Sequence, residues 1–420
     1  MRAEDMILFS IDDHIIEPSD VFENHMPAKY KDQAPQCLTT PDGKTRWLYQ
    51  GTEAGTTGLG AVASWPREEW NFDPVGFAEM RPGCYDIHQR VADMNANGVY
   101  ASMNFPTFPG FAGAHLLTQP DKEITEMVVS AYNDWHIDEW CGAYPGRMVP
   151  LAIAPLWDPE LMAKEVRRVA AKGCKALTLP ETPYGLGLPS FYTEWWDPVW
   201  QACSDCDVTV CFHIGTAFNI IQSPEGAPSD RLIIMAPQLS ALVTTDLLTA
   251  GVFRKFPQLR CALSEGGIGW IPFYLDRLDR HGWNHAWTRL DIGGGPAQTP
   301  TEVFREHFLG CFITDPSALV NRDRIGIEVL AWECDFPHSD STWPNSPEVL
   351  LAEFNDVGMN DAEINKVGYE NAARFFGWDL FKHTPKEQAT VGALRDLAAG
   401  VDTAITSKAE YRRRFAGAGA

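Results

Sequence analysis

Short apolar runs alternate with stretches of helical periodicity along most of the chain. Residues 6–11 form one such run, which ends on Asp12-Asp13-His14. Runs at 100–105, 148–154, 174–179, 208–212, 259–263, 308–313 and 327–332 predict further strands. Between them, apolar positions recurring every three or four residues predict helices over 86–97, 122–141, 159–171, 194–206 and 239–253. This rhythm predicts βα units and a parallel sheet. No G-x-G-x-x-G follows the first strand, so an α/β chain of this kind is expected to close into a distorted (β/α)8 TIM barrel.

Two regions break the rhythm. Residues 31–83 carry Gly, Pro, Thr and aromatic residues with little periodicity, and read as a long insertion or lid after the first strand. Residues 379–420 are a polar, partly helical extension ending in a Gly/Ala run, suited either to wrapping a neighbouring subunit or to fraying. The expected division is a catalytic barrel over 1–378 and a C-terminal extension over 379–420.

Composition narrows the function classes. At 420 residues, 45% hydrophobic and 11% aromatic, the chain is long and apolar enough for a large core. Its net charge of −22 excludes a phosphate-binding face for nucleic acid and disfavours anionic membranes. No run is read as approaching the roughly 20 apolar residues of a membrane span. The N-terminus lacks a signal-peptide pattern, so the expected compartment is the cytoplasm. The ten cysteines lie mostly in apolar runs, and the single C-x-x-C, Cys203 and Cys206, falls in a predicted helix and reads as packing.

The chemistry concentrates at strand ends. Asp12 and His14 are two apart, so their side chains share a face while Asp13 points away. A carboxylate and an imidazole presented together suit a divalent cation. His213 ends the run Val208-Thr-Val-Cys-Phe, and Asp335 ends Val329-Leu-Ala-Trp-Glu-Cys. Each alone is as well explained by a backbone-bonded core residue or a turn cap. Together, Asp12, His14, His213 and Asp335 form one ligand set at matching strand ends.

The motifs SIDDHIIEP, FHIGT, LSEGGIGWIPFYLDRLD, ECDFPHSDSTWPNS and KVGYENAARFFGW, in that order, resemble the amidohydrolase-related family that includes aminocarboxymuconate-semialdehyde and resorcylate decarboxylases. The resemblance implies a distorted barrel with one divalent metal, Zn2+ first and Mn2+ as the alternative. The first-strand ligands fall on Asp12 and His14, and the later ones on His213 and Asp335. The chain departs from the family at Glu265, which stands where the decarboxylases carry a histidine before a glycine-rich turn. Glu265 is expected to act as general acid/base, to orient His213, or merely to bond the turn's amides.

His338, three residues after Asp335, is a candidate substrate contact or proton relay. Trp65, Arg67 and Arg81 in the insertion, with Trp47 and Trp70 nearby, are candidates for covering and clamping the substrate. Asn371 is read as fixing a helix. His281 and His285, at i,i+4 without the glutamate of H-E-x-x-H, are read as surface or packing residues. Ser264 in a loosened nucleophile elbow, with Asp335 and His338, would make a serine hydrolase, but three residues are read as too few to bring acid and histidine together.

The leading expectation is a metal-dependent hydrolase of a small aromatic or carboxylated molecule, with Asp335, His213, Glu265 and His338 as its catalytic residues. Nonoxidative decarboxylation is the alternative, and a non-catalytic ligand-binding barrel the alternative of another class. The expected assembly is a homo-oligomer, by preference a dimer.

Overall fold

The computed structural model describes residues 1–41, 43–54, 58, 60–72, 75–216, 223–228, 230–285, 287 and 298–415, with only the backbone of 54, 282 and 283. Its strands are β1 (Phe9–His14), β2 (Gln36–Thr39), β3 (Thr45–Tyr49), β4 (Thr52–Ala54), β5 (Ala101–Phe105), β6 (Met148–Val149), β7 (Leu151–Ala152), β8 (Ala176–Pro180), β9 (Thr209–His213), β10 (Cys261–Ser264), β11 (Phe308–Phe312) and β12 (Leu330–Trp332). All but β2, β3 and β4 are buried along their whole length and pair in parallel, as continuous apolar runs do when helices cover both ends of each crossover.

The parallel strands run β1-β5-β6 and β7-β8-β9-β10-β11-β12. Pro150, which has no N–H to donate, separates β6 from β7, so the two arcs share one interrupted strand. Main-chain bonds close the other side. Asp335 N donates to Asp12 O at 2.8 Å, and His14 N donates to Phe336 O at 2.7 Å. The result is the expected TIM barrel.

Inside it lie small and medium side chains at alternating positions: Phe9, Ile11, Ala101, Met103, Val149, Ala176, Cys211, Ala262, Cys311 and Ala331 form one cluster. Residues of the opposite parity, such as Leu177, Val210, Phe212 and Trp332, pack outward against the helices. Parity therefore sends His213 and Asp335 inward, in step with Cys211 and Ala331. β1 needs a further device. Ser10 pairs with Ser102 but Asp13 with Asn104, three residues against two, so β1 carries one extra residue. This bulge turns Asp12 and His14 inward although Phe9 and Ile11, of the other parity, also face in.

The insertion is more regular than its sequence suggests. β2, β3 and β4 form an antiparallel sheet within it. Trp47 on β3 is buried and stacks on Phe108 at 4.5 Å, so it belongs to the core. The C-terminal extension does not fray as far as residue 415. Val391–Leu397 docks with Val391 N donating to Met6 O at 2.9 Å, and Lys408–Arg414 lies on the insertion. The terminal Gly/Ala run lies outside the described residues. Contrary to the sequence reading, Asp230–Thr249 contains an 18-residue window of mean hydropathy 1.5, enough by length and composition alone for a membrane span. Two helices, Asp230–Met235 and Gln238–Thr249, make up the stretch, and 44% of that window is packed inside the structure.

Candidate metal centre

The four predicted ligands meet at the C-terminal mouth of the barrel, where such folds place their chemistry. His14 Nε2 lies 3.1 Å from His213 Nε2, 3.5 Å from Asp12 Oδ1 and 3.2 Å from Asp335 Oδ1. His213 Nε2 is 3.2 Å from Asp12 Oδ2. All four side chains are buried, and neither carboxylate oxygen of Asp12 accepts a hydrogen bond. A buried carboxylate without donors is costly unless a cation completes it. Asp12, His14 and His213 present donor atoms within 4.8 Å of one another, and His14, Asp335 and His338 form a second such group. This mix of imidazole nitrogens and carboxylates around His14 fits a divalent metal such as zinc or manganese.

Backbone contacts fix these donors. His213 Nδ1 bonds Ile214 O at 2.5 Å, which leaves Nε2 for the site. Arg90, fully buried from the helix Ile87–Asn97, donates to the carbonyl of His14, and to Gly83 O at 2.6 Å. Asp13, turned away as expected, accepts from Phe336 N at 2.8 Å and from Ser102 Oγ. Burial and the neighbouring His338 hold His14 well below the usual imidazole range, so it is neutral and able to ligate. Burial also raises Asp335, but the adjacent His338 and His14 outweigh it and leave that carboxyl well below its usual range.

His338 Nδ1 sits 2.9 Å from Asp335 Oδ1, and its ring stacks on His14 at 3.9 Å. Three residues are therefore enough to bring acid and histidine together, which corrects the spacing argument. Asp335 adopts a left-handed backbone, φ 59°, and His338 N donates to Asp335 O at 2.8 Å, folding the loop back on itself. The Asp–His pair exists, but Ser264 Oγ is buried without a hydrogen bond, so no nucleophilic triad forms.

Glu265 also has a left-handed backbone, φ 54°. Its Oε2 lies 3.4 Å from His213 Nε2 with 23% of the side chain open, so it faces the site rather than the glycine-turn amides. Burial, then the charges of Asp335 and Asp12, push this carboxyl well above its usual range, against the opposing pull of His213. Glu333, which sequence reasoning passed over, accepts from Glu265 N at 3.0 Å and is completely buried. Burial and Asp12 raise it too. The period-2 signal that placed Asp335 inward places Glu333 there as well.

A cavity of about 660 Å³ opens beside the ligands. Phe111, Phe72, Ile214, Ile233 and Ile313 give it apolar walls, and Glu265, Glu333, Asp335, His338 and Asp340 a polar floor. Among the described residues no Lys or Arg lines it.

The insertion's candidates stand elsewhere. Arg81 donates from Nε and Nη2 to Asp93 at 2.7 and 2.6 Å and stacks over Trp343, because a buried guanidinium demands a partner. Arg67 lies over the ring of Trp70 on an exposed turn. Trp65 is buried and donates to Glu79 O at 2.8 Å. Trp70 is partly exposed and is not part of the cavity wall. Phe72 reaches the cavity instead. His281 and His285 stack on each other at 4.8 Å and do not line the cavity. Cys203 is buried, with Cys206 partly so, and both are free thiols. Asn371 Nδ2 donates to Ile327 O and Leu330 O, anchoring its helix beneath β12.

The amidohydrolase family model matches residues 40–378. The gamma-resorcylate decarboxylase of Rhodococcus jostii is 26% identical over 334 residues, which is 73% of this chain and 94% of that protein. A crystal structure of an amidohydrolase from Mycobacterium avium subsp. paratuberculosis superposes with TM-score 0.69 at 22% identity, covering 88% of this chain and 99% of that one. A dihydroxybenzoic acid decarboxylase from Polaromonas sp., with bound manganese and 2-nitroresorcinol, gives TM-score 0.54 at 20% identity, covering 74% and 90%. With its barrel, its buried donor set and a family match over most of its length, this chain belongs to the amidohydrolase family and is an enzyme, a hydrolase or carboxy-lyase, of that superfamily.

Proposed function

We propose that the chain is a metal-dependent, nonoxidative decarboxylase of a small aromatic or unsaturated carboxylic acid. The observation that carries this reading is Glu265, whose carboxyl stands 3.4 Å from His213 Nε2 and faces a largely apolar cavity with room for an aromatic ring. Similarity to resorcylate and aminocarboxymuconate-semialdehyde decarboxylases supports it. It also displaces hydrolysis, the leading sequence expectation, from first place.

Asp12, His14, His213 and Asp335 would hold the metal. When bound, the ion supplies a Lewis acid that anchors and polarises the substrate's carboxylate or a neighbouring oxygen. Phe111, whose ring lies 4.4 Å from that of His213, packs against the substrate's ring. Glu265 delivers its proton to the carbon that bears the carboxylate. The bond from that carbon to the carboxylate then breaks, its electron pair returns to the ring, and CO2 leaves. Solvent restores the proton on Glu265, so one carboxylate and one proton become one C–H bond and one CO2. His338 holds Asp335 ionised and in place.

One observation favours hydrolysis as the second reading. An ionised Asp335 paired with His338 is the arrangement that takes a proton from an attacking water and passes it on. Incubating the manganese-loaded enzyme in D2O with hydroxybenzoates and with aryl amides separates the readings. Decarboxylation gives CO2 and a ring carrying one deuterium at the former carboxyl position. Amine release without CO2 overturns the proposal.

A further inference from the structure

The family match ends at residue 378, yet the chain continues and packs on its own active-site loop through one intermediary. That intermediary is the segment 62–65. Val62 N and Ala63 N both donate to Pro337 O, at 3.0 and 3.1 Å, between Asp335 and His338. Ser64, next in sequence, has a left-handed backbone, φ 66°, which a side chain as small as serine tolerates only when surrounding contacts hold it.

Those contacts come from the C-terminal extension. Thr406 N donates to Ser64 O at 2.8 Å, and Tyr411 Oη meets Ser64 Oγ at 2.5 Å. Around them, Lys408 N donates to Glu69 Oε2 at 2.7 Å, and its ammonium lies 4.7 Å above the ring of Trp65. Arg412 Nε donates at 2.7 Å to Glu79 Oε1, a carboxylate only 3% exposed whose backbone oxygen accepts from Trp65 Nε1.

We infer that residues 402–415 are a positioning strap, in which Tyr411 and Arg412 hold Ser64 and its neighbours against Pro337 and so set where Asp335 and His338 stand. The inference rests on Asp335 and His338 belonging to the metal centre, and is independent of the reaction carried out there. Tyr411 and Ser64 are positioning residues. Neither lines the cavity, so their effect passes through the two bonds to Pro337.

The test is a Tyr411→Phe/Arg412→Ala variant of the full chain, loaded with Co2+ and compared with the wild type. Amide hydrogen exchange at Val62 and Ala63 is expected to quicken about thirtyfold, the factor that losing two ordinary hydrogen bonds gives. Exchange at Val210 and Cys211 in the barrel wall is expected to stay unchanged. The visible absorption of the bound Co2+ should shift, because Asp335 moves, whereas the single variant Arg412→Lys, which keeps Tyr411 and a cation for Glu79, should keep the wild-type spectrum. Unchanged exchange at 62 and 63 with an unchanged spectrum overturns the inference. Equal quickening throughout the barrel also overturns it, since the extension would then serve only general stability. None of these readouts uses a substrate, so a failed decarboxylase assay leaves the inference standing or falling on its own.

Discussion

His136 gives the barrel an acid-sensitive joint whose size follows from the structure. It begins the turn after the helix Lys122–Trp135, is fully buried, and its Nδ1 bonds Leu151 O at 2.8 Å, where β7 continues the interrupted strand. Burial lowers this imidazole from 6.5 to about 4, and the bond to Leu151 only partly offsets that. The folded state therefore resists protonation that the unfolded chain accepts. Stability is full above pH 6.5 and falls as pH drops toward 4, with no further loss from this group below that. A gap of about 2.5 pH units at about 1.4 kcal/mol each amounts to about 3 kcal/mol. His136→Gln keeps a donor for Leu151 but has nothing to protonate. Urea unfolding of both proteins from pH 7.5 to 4 should show the wild type losing about 3 kcal/mol more than the variant. Curves that stay parallel across that range refute the reasoning.

Other expectations concern the site. Glu265→Gln preserves shape and the backbone bond to Glu333 but removes the transferable proton, so kcat for CO2 release should fall about 10²–10⁴-fold while metal content stays constant. Arg90→Met removes the anchor of the His14 carbonyl. It should weaken metal affinity by about 10–100-fold, measured by competition with a chelator, and destabilise the fold by about 3–5 kcal/mol because Asp13 loses its cation. With the ionised Asp335 in its wall and no Lys or Arg among its described lining residues to pair a second carboxylate, the cavity should bind benzoates at least about tenfold tighter than isophthalates in calorimetric titration.

Much of this architecture was legible in sequence. The helix predicted over 159–171 forms as Pro159–Ala171 with Asp158 as its cap, and each predicted strand appears within a few residues. These elements have strong local signals: buried apolar runs and polar stops. His213 and Asp335 were readable because their strands keep a simple alternation. Asp12 and His14 do come together with His213, but the two-residue spacing alone does not explain that convergence. The extra residue in β1 is visible only once its pairing with β5 is known. Glu333 was missed because an acid inside an apolar strand reads as an interruption, whereas the barrel's parity makes it a cavity residue. Arg81 and Trp47 were misplaced for the opposite reason. Their chemistry suits a substrate, but long-range partners, Asp93 and Phe108, claim them. The contact of His338 with Asp335 depends on a left-handed backbone at residue 335 that nothing local announces.

The central claim is that Asp12, His14, His213 and Asp335 together hold a single divalent ion. Anomalous scattering at the manganese edge, from crystals of the manganese-loaded protein, tests it most directly. The account predicts one strong peak between the two Nε2 atoms and the two carboxylates, lost in Asp12→Asn/Asp335→Asn. A peak elsewhere, or one that survives that double substitution, would contradict it.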